Sequence, residues 1–448
     1  MCLRRRRQAT ERHGYNMVDI KSAGGRVNDA LKRHSVDKAG FWVTETETQE
    51  FNVEGGEFTL FRTLFDNGLN LTVYHQNKKG SITTNKLDDV SIDSAVEGAL
   101  ASAESGIADE AYDIAPVQEK QCFHDNGYEP DMERLFERTR ELMADIEKRY
   151  PKVLVDQLSV SHQKIHTLYL NTNGTECEVF KGKYSVSLSF AGHEGDVTTS
   201  ICGTGVMTDN LDKPFIELGT IETQLKEAEA QLVTTPLEGK FEGVIVLTPD
   251  SLGSFLYGIL SNFACDSAIL EKTSIWLNKL NEKVADERLT LSIKPSDPRV
   301  VDRDHITSDG FLEEDYDIIK DGKLKSFMIS LYVANKSGFE REKSSSFSVI
   351  IEGGATPYEE ILKGIKKGLI VGRFSGGRPG SSGDFSGVAK NSFLIENGEI
   401  TGAVSETMIS GNLAQMLMNV VDISKETVAN GSDVLPYIAF DKIVISGK

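Results

Sequence analysis
The chain has 448 residues, too many for one compact core, so two or three domains are expected. Its 39% hydrophobic content with 40 Gly and 11 Pro fits a turn-rich globular protein, and no apolar run approaches the ~20 residues that span a bilayer. A formal net charge of −19 opposes a surface that grips nucleic-acid phosphates.

The opening MCLRRRRQATERHGYN is basic but lacks an apolar core, so it does not read as a signal peptide. Residues 1–16 are expected to be a disordered extension or a mis-assigned start, with Met17 beginning the folded chain. From Phe41 to His75 aromatic and β-branched residues alternate with polar ones, and Asp66-Asn67-Gly68 is expected to turn between two strands. Ser91 or Asp93 can cap a helix through Ala95, Leu100 and Ala103. A stronger helix follows, with Pro130 in its first turn, an apolar stripe of Met132, Leu135, Leu142, Met143 and Ile146, and a stop at Tyr150-Pro151. Strands Val153 to Leu170 and Cys177 to Phe190 are joined through Asn173-Gly174, and helical patterning resumes from Ile221 to Leu232. Thr234-Thr235-Pro236 marks the expected domain boundary.

Beyond it, Gly243 to Leu247 reads as a strand. Pro249-Asp250-Ser251 is expected to cap a long buried helix from Leu252 to about Glu271, apolar at Leu252, Phe255, Leu256, Ile259, Leu260 and Phe263. A hairpin turns at Asp321-Gly322, and Thr356-Pro357 starts a short helix. Gly372 to Ser382 reads as a glycine- and serine-rich loop, followed by a small-residue strand, Gly383 to Gly387. Phe393 and Ile395 then face one way and Leu394 the other. Asn397-Gly398 makes a two-residue hairpin turn, and Ile400 to Val404 is the return strand. Ser410-Gly411-Asn412 caps a helix through Leu413, Met416, Leu417, Val420 and Val421. The element order predicts an α+β protein. An N-terminal domain over 17–235, divisible near 115, mixes sheet and helices. A C-terminal domain over 236–448 holds antiparallel, barrel-like strands around a buried long helix.

The run Gly383-Asp384-Phe385-Ser386, then Phe393 to Ile400, Val404 and Ile409-Ser410-Gly411-Asn412, resembles the signature of the TldD/PmbA family. That family was first described as modulators of DNA gyrase and is now regarded as zinc-dependent peptidases. In its catalytic members the buried helix carries HExxxH, offering two imidazoles to Zn²⁺ and a carboxylate as general base, and a downstream cysteine completes the metal site. Anchored on Lys272-Thr273-Ser274, the equivalent helix here puts Tyr257, Gly258 and Asn262 at those positions, and Lys425 to Leu435 contains no cysteine. The resemblance therefore implies a PmbA-like (TldE-like) subunit without metal ligands or catalytic residues. Its TldD-like partner would carry the zinc, and the pair would act on unfolded or extended peptides in the cytoplasm. A self-sufficient peptidase homodimer and a non-proteolytic regulator of gyrase or a toxin are the alternatives.

Other metal sites find little support. His162 and His166 are four residues apart, but in a strand that separates them by ~13 Å. His193-Glu194 has Val197 and Thr198 where a second His would fall. These read as surface or strand-edge histidines, and Cys265, beside Asp266, as a small core thiol. The five cysteines form no CxxC pair, as in a reducing compartment. The glycine-rich loop lacks the GxxxxGK[ST] of a phosphate cradle, and the chain lacks GxSxG. That loop is either a mobile surface segment or the lining of a peptide-binding cavity. In the second case Arg373, Phe374, Arg378, Gly383, Asp384, Phe385, Ser386 and Asn412 are the cavity candidates, with the two arginines holding substrate carbonyls or a carboxylate. Glu45 to Glu50 and Glu313-Glu314-Asp315 read as solvated faces.

Overall fold
The computed structural model describes residues 19–377, 379–405 and 407–447, so the basic extension and Arg378 lie outside the described residues. The first sheet comprises β1 (Lys38–Glu54), β2 (Glu57–His75), β3 (Lys78–Thr84), β4 (Gln121–His124), β5 (Val153–Asn171), β6 (Glu176–Glu194), β7 (Val197–Thr198) and β8 (Cys202–Thr208). Its order is β3-β2-β1-β5-β6, with parallel β4 and antiparallel β8 sharing the far edge of β6. Period-two alternation places Phe41, Val43, Phe51 and Val53 of β1 on one face, where helices cover them at both ends. Helices α1 (Ile20–Arg33) and α2 (Asp89–Glu104) bury one end; α3 (Met132–Arg149) and α4 (Ile221–Ala230) bury the other.

Between these two cores the same face is polar. Glu45 lies opposite His166, Glu47 opposite Lys164 and Gln49 opposite His162 across β1 and β5. The expected solvated run Glu45 to Glu50 is thus half-buried and faces basic or polar cross-strand partners. His162 is fully buried rather than at the surface, its Nε2 2.7 Å from the Gly127 carbonyl oxygen. His166 pairs with Glu178 at 2.9 Å, while His193 stays exposed.

Two details differ from the sequence reading. The β1–β2 turn is Gly55-Gly56, both at positive φ, whereas Asp66-Asn67-Gly68 continues inside β2 opposite Thr44 to Thr46. A Gly pair takes left-handed angles at no steric cost, and the long ladder overrides the local turn preference of Asp-Asn-Gly. The cap of α2 is Asp88, which accepts from the Ser91 amide at 3.0 Å and the Ser91 hydroxyl at 2.7 Å.

The second sheet comprises β9 (Thr234–Pro236), β10 (Lys240–Leu247), β11 (Leu291–Ile293), β12 (Tyr316–Lys320), β13 (Lys323–Leu324), β14 (Val349–Ile350), β15 (Lys367–Gly376), β16 (Asp384–Glu396), β17 (Glu399–Ser405), β18 (Thr407–Asn412), β19 (Val420–Ala429) and β20 (Val434–Ser446). Thr234-Thr235-Pro236 is therefore a short strand of this sheet, parallel to β17. Strands β20-β10-β15-β16-β18 return to β20 and close a barrel, antiparallel except for β10–β15. Ile245, Leu247, Leu369 and Val371 join the main core with helix α5 (Pro249–Phe263), while Val246 and Ile370 pack under helix α8 (Tyr358–Lys363). Burial on both faces explains why Val244 to Leu247 is uniformly apolar. Phe393 and Ile395 share the α8 side and Leu394 the main core, as expected. Asn397-Gly398 and Asp321-Gly322 turn as expected, all four at positive φ.

The long helix stops at Phe263. Cys265 is extended and forms a bridge to Met328 before α6 (Asp266–Leu270), because Ser274 Oγ donates to the Phe263 carbonyl at 2.6 Å and the Met328 amide to that of Ala264. Cys265 is accordingly half-buried, not a core thiol. The helix after Asn412, α9 (Leu413–Met418), is also shorter than expected: Val420 and Val421 enter β19, which suits their β-branched side chains. Gly372 to Gly376 belongs to β15, so the loop begins at Gly377. A Cβ on Gly376 would sit 2.8 Å from Gly387 Cα, a backbone approach that only glycine permits.

Phe440 of β20 is 1% exposed in the barrel core. Phe440→Ala is expected to cost roughly 3–5 kcal/mol, read as a lower urea midpoint at unchanged slope.

Candidate functional site
Helix α5 is capped by Thr248, whose hydroxyl accepts from the Ser251 amide, with Pro249 in the first turn; this frees the Asp250 carboxylate for other contacts. Of the three helix positions singled out in the sequence, Tyr257 is 58% exposed with its ring 6.0 Å from that of Phe347, whereas Gly258 is buried. A Cβ on Gly258 would meet Leu413 at 3.5 Å and Pro379 at 3.7 Å, so the loop before β16 covers it. Asn262 Nδ2 donates to the Gly258 carbonyl at 2.8 Å, tying the amide to its own helix. A phenol, a bare backbone and a committed amide do not fit zinc, which takes thiolate, imidazole or carboxylate. Among the described residues, no group of three or more His, Cys, Asp or Glu is placed to hold a metal ion.

The expected cavity residues separate into two places. Gly383, Asp384, Phe385, Ser386 and Asn412 form the junction of β16, β18 and α9. Asn412 caps α9 through the Ala414 and Gln415 amides, and its Nδ2 donates to Asp384 Oδ1 at 2.9 Å and the Ser382 carbonyl at 2.8 Å. Hydrogen bonds from Asn412 and from the Ser382 hydroxyl hold the Asp384 carboxyl below its ordinary range. Gly383 is at φ +83, and a Cβ there would lie 2.8 Å from Phe263. Ser386 is exposed opposite Ser410. The side chains that carry the family signature therefore brace the junction that covers Gly258.

Phe374 sits between the two places, packed on Phe255 and on Phe385 of the junction at ring distances of 5.1 and 5.8 Å. Arg373 points to the first domain, its Nη1 donating to the Ile201 carbonyl at 3.1 Å. Both line a cleft of about 430 Å³ between the domains, together with Glu227 and Asp250, two acids that sequence reasoning did not single out. Nothing in their spacing marks them: Glu227 is one of several glutamates on α4, and Asp250 reads as part of a cap. The acidic run at Glu313 is also not a plain solvated face. Glu313 accepts from the hydroxyls of Ser344 and Ser346 at 2.8 and 2.6 Å, and burial raises its carboxyl despite them.

Residues 241–447 match the model of the PmbA/TldA metallopeptidase C-terminal domain, and 43–103 match that of PmbA/TldA metallopeptidase domain 1. The chain belongs to the PmbA/TldD metalloprotease family. It is 26% identical over 431 residues to "Metalloprotease PmbA" of Escherichia coli O157:H7, covering 92% of this chain and 94% of that one. Its fold is similar to TldE from Thermococcus kodakarensis, with a TM-score of 0.82 at 20% identity, over 94% of this chain and 100% of that one. A Bacteroides thetaiotaomicron structure described as a candidate modulator of DNA gyrase gives 0.85 at 23%, over 96% and 100%.

Asn412→Ala, which removes both cap and brace, is expected to cost about 1–2 kcal/mol. Asn412→Ser, which keeps the cap, should recover part of that loss in the same denaturation assay. Burial holds the His162 imidazole below its ordinary value, with the Gly127 contact opposing. The unfolded chain thus takes the proton first. The stability His162 contributes is full above about pH 6.5 and is lost as pH falls through the lower folded value. His162→Gln should flatten that slope in urea titrations at stepped pH.

Proposed function
We propose that this chain is the non-catalytic subunit of a two-chain PmbA/TldD-type metalloprotease acting on unfolded or extended peptides. Its TldD-like partner brings the HExxxH helix and the zinc; this chain shapes the peptide chamber and stabilises the partner. The observation that carries the reading is α5. It keeps the family's frame, buried through Leu252, Phe255, Leu256, Ile259, Leu260 and Phe263, yet Tyr257, Gly258 and Asn262 give zinc no donor set.

Further features support it. Asp384 and Asn412 are engaged with each other and brace a junction, as suits a scaffold. Cys122, Cys177, Cys202 and Cys265 are free thiols, in keeping with a cytoplasmic site of action. The acidic chain suits a peptide substrate better than direct contact with nucleic acid. No helix among the described residues is long and apolar enough to cross a membrane. In the absence of the partner the same surface is available for a homodimer.

Purified alone, the chain should carry less than stoichiometric zinc by elemental analysis and cleave no unfolded peptide. Adding a TldD-like protein with HExxxH should produce chelator-sensitive cleavage. Stoichiometric metal with chelator-sensitive cleavage by the chain alone would establish the self-sufficient peptidase instead. Capture of gyrase without any TldD-like protein would favour the non-proteolytic regulator.

A further inference from the structure
The cleft between the domains has a charge pattern that the scaffold role does not use. Helix α4 and strand β8 form one wall; the first turn of α5 and strand β15 form the other, enclosing about 430 Å³. That volume lies in the lower part of the ~300–1,000 Å³ range of small-ligand sites. Three charged side chains reach it: Glu227 from α4, Asp250 from α5 and Arg373 from β15.

None of the three is fully satisfied. Glu227 has no hydrogen-bonding or ion-pair partner among the described residues; burial pushes its carboxyl up to about 8, and the nearby Asp250 adds to the shift. Asp250 is open to solvent on one side and accepts from the Thr220 hydroxyl at 2.9 Å; desolvation in the cleft still raises its carboxyl against the hydrogen bonds from Thr220 and Gln224. Arg373 uses one terminal nitrogen on the Ile201 carbonyl, but its Nε is buried without a hydrogen-bond partner. Between the charges the lining is neutral and polar, with Thr220, Gln224, Thr248, Ser254 and Tyr437. Two carboxyls facing one cleft are stabilised by an incoming cation, and a buried guanidinium N–H by an incoming acceptor.

The combination decides the ligand class. A divalent metal ion needs more oxygen donors than two carboxylates and gains nothing from Arg373, which repels it. A simple anion would meet Arg373 but also Glu227 and Asp250. A molecule with an ammonium at one end and a carboxylate a few bonds away satisfies all three groups. We propose that this cleft binds a free amino acid or very short peptide, its α-ammonium held by Glu227 and Asp250 and its α-carboxylate by Arg373. The site goes beyond the scaffold reading and requires neither a partner chain nor a metal.

Isothermal titration of the full purified chain tests it, with alanine, leucine, Ala-Ala and Leu-Leu as probes. N-acetyl-Ala-Ala, Ala-Ala-amide, MgCl₂ and CaCl₂ are run beside them. At least one free form should bind, and each capped dipeptide should bind at least about tenfold more weakly than its free counterpart. Binding by the single amino acids alone would assign free amino acids as the ligand; binding by dipeptides alone would assign peptide ends. Glu227→Gln and Arg373→Gln should each weaken binding by about tenfold or more with an unchanged circular dichroism spectrum. The proposal is overturned if no free form binds, or if the free dipeptides bind and their capped forms bind as tightly. Magnesium or calcium binding that is lost in Glu227→Gln, without dipeptide binding, would make it a cation site and also overturn it. Because the titration uses the chain alone, its failure leaves the zinc and partner experiment unaffected.

Discussion

A six-residue strand, Thr407–Asn412, closes the second domain. One edge pairs with Asp384 to Ala389 and the other with Val444 to Ser446, so the five strands of the ring leave no open seam at this point. Closure fixes the curvature against which α5 lies, and the strand ends in the residue that caps α9 and grips Asp384. The loop over Gly258 is thereby held on the helix. The covered side of α5 at Gly258 is thus set by backbone pairing some distance from it.

Much of this was readable from the residues alone. Asn397-Gly398 and Asp321-Gly322 turn as their φ preferences require, α3 follows its stripe, although Asp131 caps it and leaves Pro130 outside its first turn, and β5 and β6 have nearly the expected bounds. The errors share one physical origin: local signals overridden by partners distant in sequence. Asp66-Asn67-Gly68 is drawn into a strand by the length of the β1 ladder. The long helix breaks at Cys265 because Met328 and Ser274 take up its last carbonyls. Glu45 and Glu47 read as surface because nothing nearby shows that His166 and Lys164 will face them. The same limit governs the site. Tyr257, Gly258 and Asn262 draw attention only through the family resemblance, whereas Glu227 and Arg373 meet only when the domains pack.

The domain contact is itself polar and specific. Lys181 and Lys183 both reach Asp302, and together they outweigh burial to keep that carboxyl below its ordinary range. His305 stacks on Phe123 at 4.1 Å and pairs with Asp125 at 2.9 Å. Tyr332 stacks on Tyr112 and donates to Asp109 at 2.9 Å, and Met207 donates its amide to the Asn430 carbonyl. Hydrogen bonds of this kind fix register more strictly than apolar burial, which tolerates sliding. A cleft lined from both sides keeps its shape only if the two domains cannot slip.

The pairing of Lys240 with Ser446 has a further consequence for biogenesis. The ribosome delivers β10 long before β20, so the nascent second domain must wait with β10 and β18 each lacking a neighbour. Throughout that interval Ile245, Leu247 and Ile409 are aggregation-prone surface rather than core.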